Sequence, residues 1–209
     1  MERRYLQLDQ PIEIREEEGS PPSIRGYAAV FYRSSDPGTE FEVMEGVKER
    51  IDAGAFNRAI TESHDVAALM NHDPNMLLGR SSAGTLKLET NRRGLLYEIS
   101  LPDTSVGRDV HESVRRGDLK GSSFAFRVTG ERWSTGEQGE VREITDVTLI
   151  DVGPVTHPAY KATTAGLRDE DLAECRTSLG LWKEHLQIER DALEMEWEHA
   201  LVQAKLNQL

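Results

Sequence analysis

The sequence contains one cysteine, Cys175, which excludes an internal disulfide framework and any cysteine-rich zinc site. No apolar run approaches the roughly 20 residues of a membrane-spanning helix. The opening Met1-Glu2-Arg3-Arg4-Tyr5 lacks the apolar centre of a signal peptide. A soluble, intracellular protein is expected. Basic residues are also few: 25 Lys and Arg stand against 37 Asp and Glu, a formal net charge of -12. That balance argues against nucleic acid as a partner, because phosphate neutralisation needs clustered Lys and Arg. It argues equally against an anionic membrane surface. With 37% hydrophobic and 30% charged residues in 209, the chain has apolar material for one ordinary domain and a little more.

The acidity is uneven. All eight prolines fall within residues 1–165, whereas residues 166–209 have no proline and carry ten acidic against five basic residues. This shift predicts two parts: a domain over 1–165 and an acidic, amphipathic helical tail over 166–209. In the tail, Leu179, Leu186, Leu193 and Ala200 form one heptad-spaced row and Leu181, Ile188, Met195 and Val202 another. These apolar rows are suited either to packing on the domain or to docking, including self-association. They lack the a/d spacing of a strict two-stranded coiled coil.

The body reads as strands with interspersed helices. Ile12-Glu13-Ile14, Ile24 to Phe31, Ser123 to Val128 and Thr145 to Val152 read as strands. The unbroken apolar run Val66 to Met70 suggests a central strand covered on both faces. Leu86 and Leu88, a turn at Asn91 to Gly94, and then Tyr97, Ile99 and Leu101 make a hairpin. Helical spacing appears in Asp52 to Glu62 and in Asp103 to Arg116, the latter with Thr104 or Ser105 as cap and Gly117 as stop. The expected class is α+β, a mostly antiparallel, β-barrel-like body flanked by helices, plus a C-terminal helix.

Three segments carry candidate chemistry. In Gly121-Ser122-Ser123-Phe124-Ala125-Phe126-Arg127, a strand places Ser123, Ala125 and Arg127 on the face opposite the phenylalanines. A nucleophilic serine there needs a base and oxyanion donors; alternatively, the two serines simply begin a strand. The order Gly121, Ser123, Ala125 only half-matches a nucleophile elbow and leads into a strand, not a helix. His72, in Asn71-His72-Asp73-Pro74, leaves an apolar strand at a turn and is the candidate base, or else a turn-capping side chain. Asp151, a charge inside the apolar Thr148 to Val152, needs a partner such as an imidazole; Asp146 and His157 compete for that role. A metal set of His64, His72 and Asp73 has no standard ligand spacing.

Together these segments resemble the HK97-type prohead (capsid-maturation) protease family of tailed bacteriophages. The resemblance runs in order through Gly26-Tyr27-Ala28-Ala29-Val30-Phe31, Ala53-Gly54-Ala55-Phe56, Asn71-His72-Asp73-Pro74 and Leu78-Gly79-Arg80. It continues through Gly94-Leu95, Leu101-Pro102-Asp103-Thr104, Arg116-Gly117-Asp118, Ser123-Phe124-Ala125-Phe126 and Val155-Thr156-His157-Pro158-Ala159-Tyr160. It implies a serine endopeptidase with His72 and Ser123 as the catalytic pair, and it favours Ser123 over Ser122. Asp151 stands in the place of the acidic third member, where relatives commonly carry Glu; Ala125 stands where Gly is usual. The family is distantly similar to herpesvirus assembly proteases, whose second histidine keeps His157 as the alternative third member. The oxyanion candidates are Arg80, Arg127 and main-chain N–H groups near Ser123.

The resemblance calls for no cofactor and no metal. It implies that the substrate is the major capsid protein, cleaved of its scaffolding segment inside the assembling prohead in the host cytoplasm, with the prohead scaffold as partner and self-cleavage following. The rival expectation is a non-catalytic capsid assembly or scaffolding protein on the same fold.

Overall fold

The computed structural model describes residues 1–6, 12–62, 64–156 and 169–206. The chain divides into two units, Met1–Leu172 and Ala173–Leu209.

In the first unit, seven strands form one sheet. β1 (Glu2–Leu6), β10 (Gly121–Gly136), β11 (Gly139–Val155), β5 (Val47–Ile51) and β4 (Glu40–Met44) lie side by side in that order. β10 and β11 are a long antiparallel hairpin. The far edge of β11 is shared: Glu140 to Ile144 pair in parallel with β5, and Asp151 and Val152 pair in parallel with β6 (Ala67–Leu69). β6 in turn pairs with β7 (Leu77–Arg80), so it is a central strand, as its apolar run predicts. Four strands make the second sheet, in the order β2 (Glu13–Arg15), β3 (Ser23–Val30), β9 (Gly94–Ser100), β8 (Leu86–Thr90). The α+β class therefore holds, but the strands resolve into two sheets, and no closed barrel is seen among the described residues.

Residues from both sheets share one apolar core, with Ile24, Leu95, Tyr97 and Ile99 meeting Phe124, Phe126, Leu149 and Val152. Phe124 stacks on Phe126 at 4.8 Å and meets the edge of Phe56 at 5.6 Å. Burying rings of this size contributes about 1.5–3 kcal/mol each, and here it fixes the strand that carries Ser123.

The helices differ in how closely they follow the pattern. α2 (Ser105–Arg116) starts where Thr104 Oγ1 accepts from Gly107 N at 3.2 Å and stops at Gly117, whose φ of 77° suits glycine. α1 (Asn57–Thr61) is much shorter than the helical spacing of Asp52 to Glu62 predicts. Asp52 Oδ1 accepts from Gly54 N at 2.7 Å, and this side-chain turn takes the first residues out of the helix. Phe56 is buried all the same. Sequence periodicity did not reveal β1, β4, β5 or β7: these strands are only four or five residues long, and the one alternation among them, Glu40-Phe41-Glu42-Val43, breaks at Met44.

The second unit consists of the greater part of one helix, α3 (Asp169–Leu206). Leu181, Ile188, Leu193, Met195 and Trp197 on it are exposed. No described helix is long and apolar enough to cross a membrane.

Candidate active site

Three elements converge on one point. On β10, Ser123 pairs with Gly153 of β11, and Ala125 pairs with Asp151. The ladder then slips: Phe126 pairs with Leu149, so Ile150 is an extra residue on β11. In an unbroken strand Asp151 would follow Leu149 into the apolar core, because residues two apart share a face. The bulge reverses that alternation. Leu149 and Val152 stay in the core, and Asp151 turns to the face that Ser123 and Ala125 share.

The third element arrives from β6. Its backbone lies against Gly153 so closely that a Cβ there would stand 2.1 Å from the Leu69 carbonyl oxygen. Only glycine allows this approach. Beyond Leu69 the chain makes a tight turn in which Asn71 and His72 both have left-handed φ, 56° and 58°. Conformations of this kind in non-glycine residues cost on the order of 1–3 kcal/mol each and need a surrounding restraint. Asn71 Oδ1 provides it, accepting from the main-chain N–H of Thr156 at 2.9 Å and from its hydroxyl at 3.2 Å.

The turn aims the imidazole of His72 between the two strand residues. His72 Nδ1 lies 2.5 Å from Asp151 Oδ1, and His72 Nε2 lies 2.5 Å from Ser123 Oγ. Ser123 is fully buried, and the His72 and Asp151 side chains are 4% and 7% exposed. Water competes little for these bonds. An ionised Asp151 accepts only, so it holds the Nδ1–H tautomer and makes Nε2 the acceptor for the serine hydroxyl. A proton can therefore pass from Ser123 to His72 while the charge that forms is balanced by Asp151. This is the arrangement that nucleophilic acyl transfer requires.

The neighbouring serine is employed elsewhere. Ser122 Oγ lies 2.8 Å from Tyr97 OH, a buried bond between the two sheets. Burial raises the Tyr97 phenol above its ordinary range, with Ser122 opposing that shift, so the hydroxyl stays protonated. The remaining candidates are placed apart. Asp146 binds Arg58 and Thr129; burial opposes its ionisation, yet these partners hold its carboxyl below the usual range. His64 faces Glu62 at 3.5 Å, and Asp73 accepts from Asn75. Among the described residues no three His, Cys, Asp or Glu side chains gather as a metal site. Arg80 is paired with Asp65 at 2.8 Å, and Arg127 is exposed. His157 lies outside the described residues.

Two contacts had no signal in the sequence. One is the Asn71–Thr156 bond, between residues 85 apart in the chain. The other is the Arg4 carbonyl, which accepts from Ser123 Oγ at 2.8 Å.

Comparison with known families decides the class. A family model described as caudovirus prohead serine protease matches residues 10–178. The chain belongs to this family. As a prohead serine protease it is a hydrolase of peptide bonds that acts in capsid maturation. The solved structure of the capsid assembly protease of bacteriophage T4 is similar at 12% identity, with 74% of this chain and 99% of that chain covered and a TM-score of 0.47. No curated protein matches the sequence.

Proposed function

We propose that this prohead serine protease cleaves the scaffolding segment from the major capsid protein inside the assembling prohead, and also cleaves itself, with Ser123 as nucleophile, His72 as general base and Asp151 as the orienting carboxylate. The continuous hydrogen-bonded line Ser123–His72–Asp151 carries this reading, both links being 2.5 Å long. His72 takes the Ser123 proton as Oγ attacks the peptide carbonyl, then returns it to the leaving amine. Water in turn releases the acyl group. Asp151 keeps the imidazole in the required tautomer and stabilises its charged form.

In the same reading, residues 1–165 are the protease domain, similar in fold to the herpesvirus assembly proteases. Residues 166–209 are then an appended helical tail. Its exposed apolar side chains favour contact with the prohead scaffold or with a second copy.

The test is co-expression of the wild type and Ser123→Ala with the major capsid protein, followed by intact-mass spectrometry. The wild type is expected to shorten the capsid protein and itself, and Ser123→Ala to do neither. Continued processing by Ser123→Ala sinks the assignment of the nucleophile.

A further inference from the structure

β1 lies beside the reacting serine, yet it precedes the residues 10–178 that the family model matches. Its pairing sets Tyr5 opposite Ser123 and Arg4 opposite Phe124. With β1 on one edge of β10 and β11 on the other, both sides of the nucleophile's strand are occupied.

The strand is held from its core side by charge. Arg4 donates to Glu49 through Nε at 2.5 Å and Nη2 at 2.7 Å, and also to Glu2. Arg142 donates through Nη1 to Glu2 at 2.9 Å and to Glu49 at 3.1 Å. These four residues are at most 5% exposed. Burial alone would favour the neutral form of Glu49, but the two guanidiniums hold its carboxyl below its ordinary range. Burial likewise works against the Arg4 charge, and Glu49 and Glu2 overcome it. Removing one member of such a set strands its partners, at a cost of several kcal/mol. β1 is therefore a fixed wall beside Ser123.

We propose that β1 is a positioning strand of the active site: the Glu2–Arg4–Glu49–Arg142 network pins it, and the Arg4 carbonyl thereby fixes the Ser123 hydroxyl opposite His72. A serine side chain has three staggered rotamers, and an acceptor at 2.8 Å selects among them. The single hydroxyl proton serves one acceptor at a time. Given to Arg4, it holds Oγ in place; given to His72 Nε2, it begins the reaction. Arg4 acts through Ser123 and touches no substrate. This inference rests on Ser123 being the nucleophile.

A fluorophosphonate probe tests it on the full chain, with the labelled residue identified by peptide mass spectrometry and with kinact and KI read separately. The double variant Arg4→Met/Glu49→Met removes one buried pair without a net charge change. It is expected to melt cooperatively yet to show kinact reduced about 10- to 100-fold, the scale of a misplacement near 1 Å, with KI unchanged. Arg4→Lys keeps the charge but not the forked geometry, and an intermediate kinact is expected. A folded double variant with wild-type kinact overturns the proposal; if that variant does not fold, wild-type kinact in Arg4→Lys does so. Wild-type protein that is not labelled at Ser123 overturns the nucleophile reading and this inference with it. Wild-type labelling at Ser123 with unslowed variants overturns this inference alone.

Discussion

Asn71 Oδ1 accepts from both the N–H and the hydroxyl of Thr156, and through this pair of bonds the turn bearing His72 keeps its left-handed backbone. Replacing Asn71 by Ala removes the restraint and leaves a Cβ-bearing residue at φ 56°, a position asparagine tolerates better than alanine. Asn71→Ala is expected to lose about 1–2 kcal/mol of stability and to slow fluorophosphonate labelling at least tenfold. Asn71→Gly accepts the backbone but lacks the side-chain bond, so its stability should recover while its labelling stays slow. Full labelling by Asn71→Gly would show that Thr156 does not position His72.

Asp151→Asn keeps the shape of the site and changes what it asks of His72. An amide can donate to Nδ1, which moves the ring proton to Nε2 and takes away the acceptor that Ser123 needs. In the proposed triad the change is expected to lower turnover by about 10⁴. Cleavage of the capsid protein by Asp151→Asn, followed by gel densitometry over hours, should be near background while the melting temperature stays close to wild type. Activity within tenfold of wild type would remove Asp151 from its role.

At Gly153 the constraint is spatial. An alanine methyl would have to fit 2.1 Å from the Leu69 carbonyl oxygen, where the three nearest atoms all belong to the Leu69 main chain and none can rotate away. Gly153→Ala is expected to cost at least the ~1–3 kcal/mol typical of overpacking, seen as a lower denaturation midpoint. Labelling of the folded fraction should fall further, since the displaced segment leads into His72. A variant as stable and as reactive as wild type would contradict the contact.

Stability should also depend on pH through Glu49. Its carboxyl in the folded protein sits below the ordinary value of 4.5, so the unfolded chain binds the proton more tightly than the folded one. The stabilisation is complete above pH 4.5 and is lost as pH falls below it. Urea unfolding at pH 7, 5 and 4 is expected to show little change between the first two and a clear drop at the third. A flat profile down to pH 4 would mean that the network is not ionised as drawn.

Much of this arrangement was legible from short-range pattern. The caps at Thr104 and Gly117, the hairpin of β8 and β9 and the strand character around Ser123 each depend on neighbours a few residues apart. The candidates Ser123, His72 and Asp151, which the fold brings together, stand out for a related reason: a hydroxyl next to small residues, a histidine at the end of an apolar run and a charge within an apolar strand are each locally conspicuous. Arg4 and Glu49 were not, because charged residues in short polar stretches normally face solvent, and nothing local distinguishes two that pair 45 residues apart.

The sequence by itself determined the chemistry on offer, the mixture of strands and helices and the acidic helical end. Only the tertiary structure decided which side chains meet. Strict alternation would have sent Asp151 into the core beside Leu149, and the extra residue at Ile150 turns it towards His72. The helix expected from Asp52 was shortened by a side-chain turn, and the barrel-like body became two sheets around one core. The physical reason is common to all of these: register, bulges and the partners of buried charges are set by contacts between distant segments, and no period in the sequence records them.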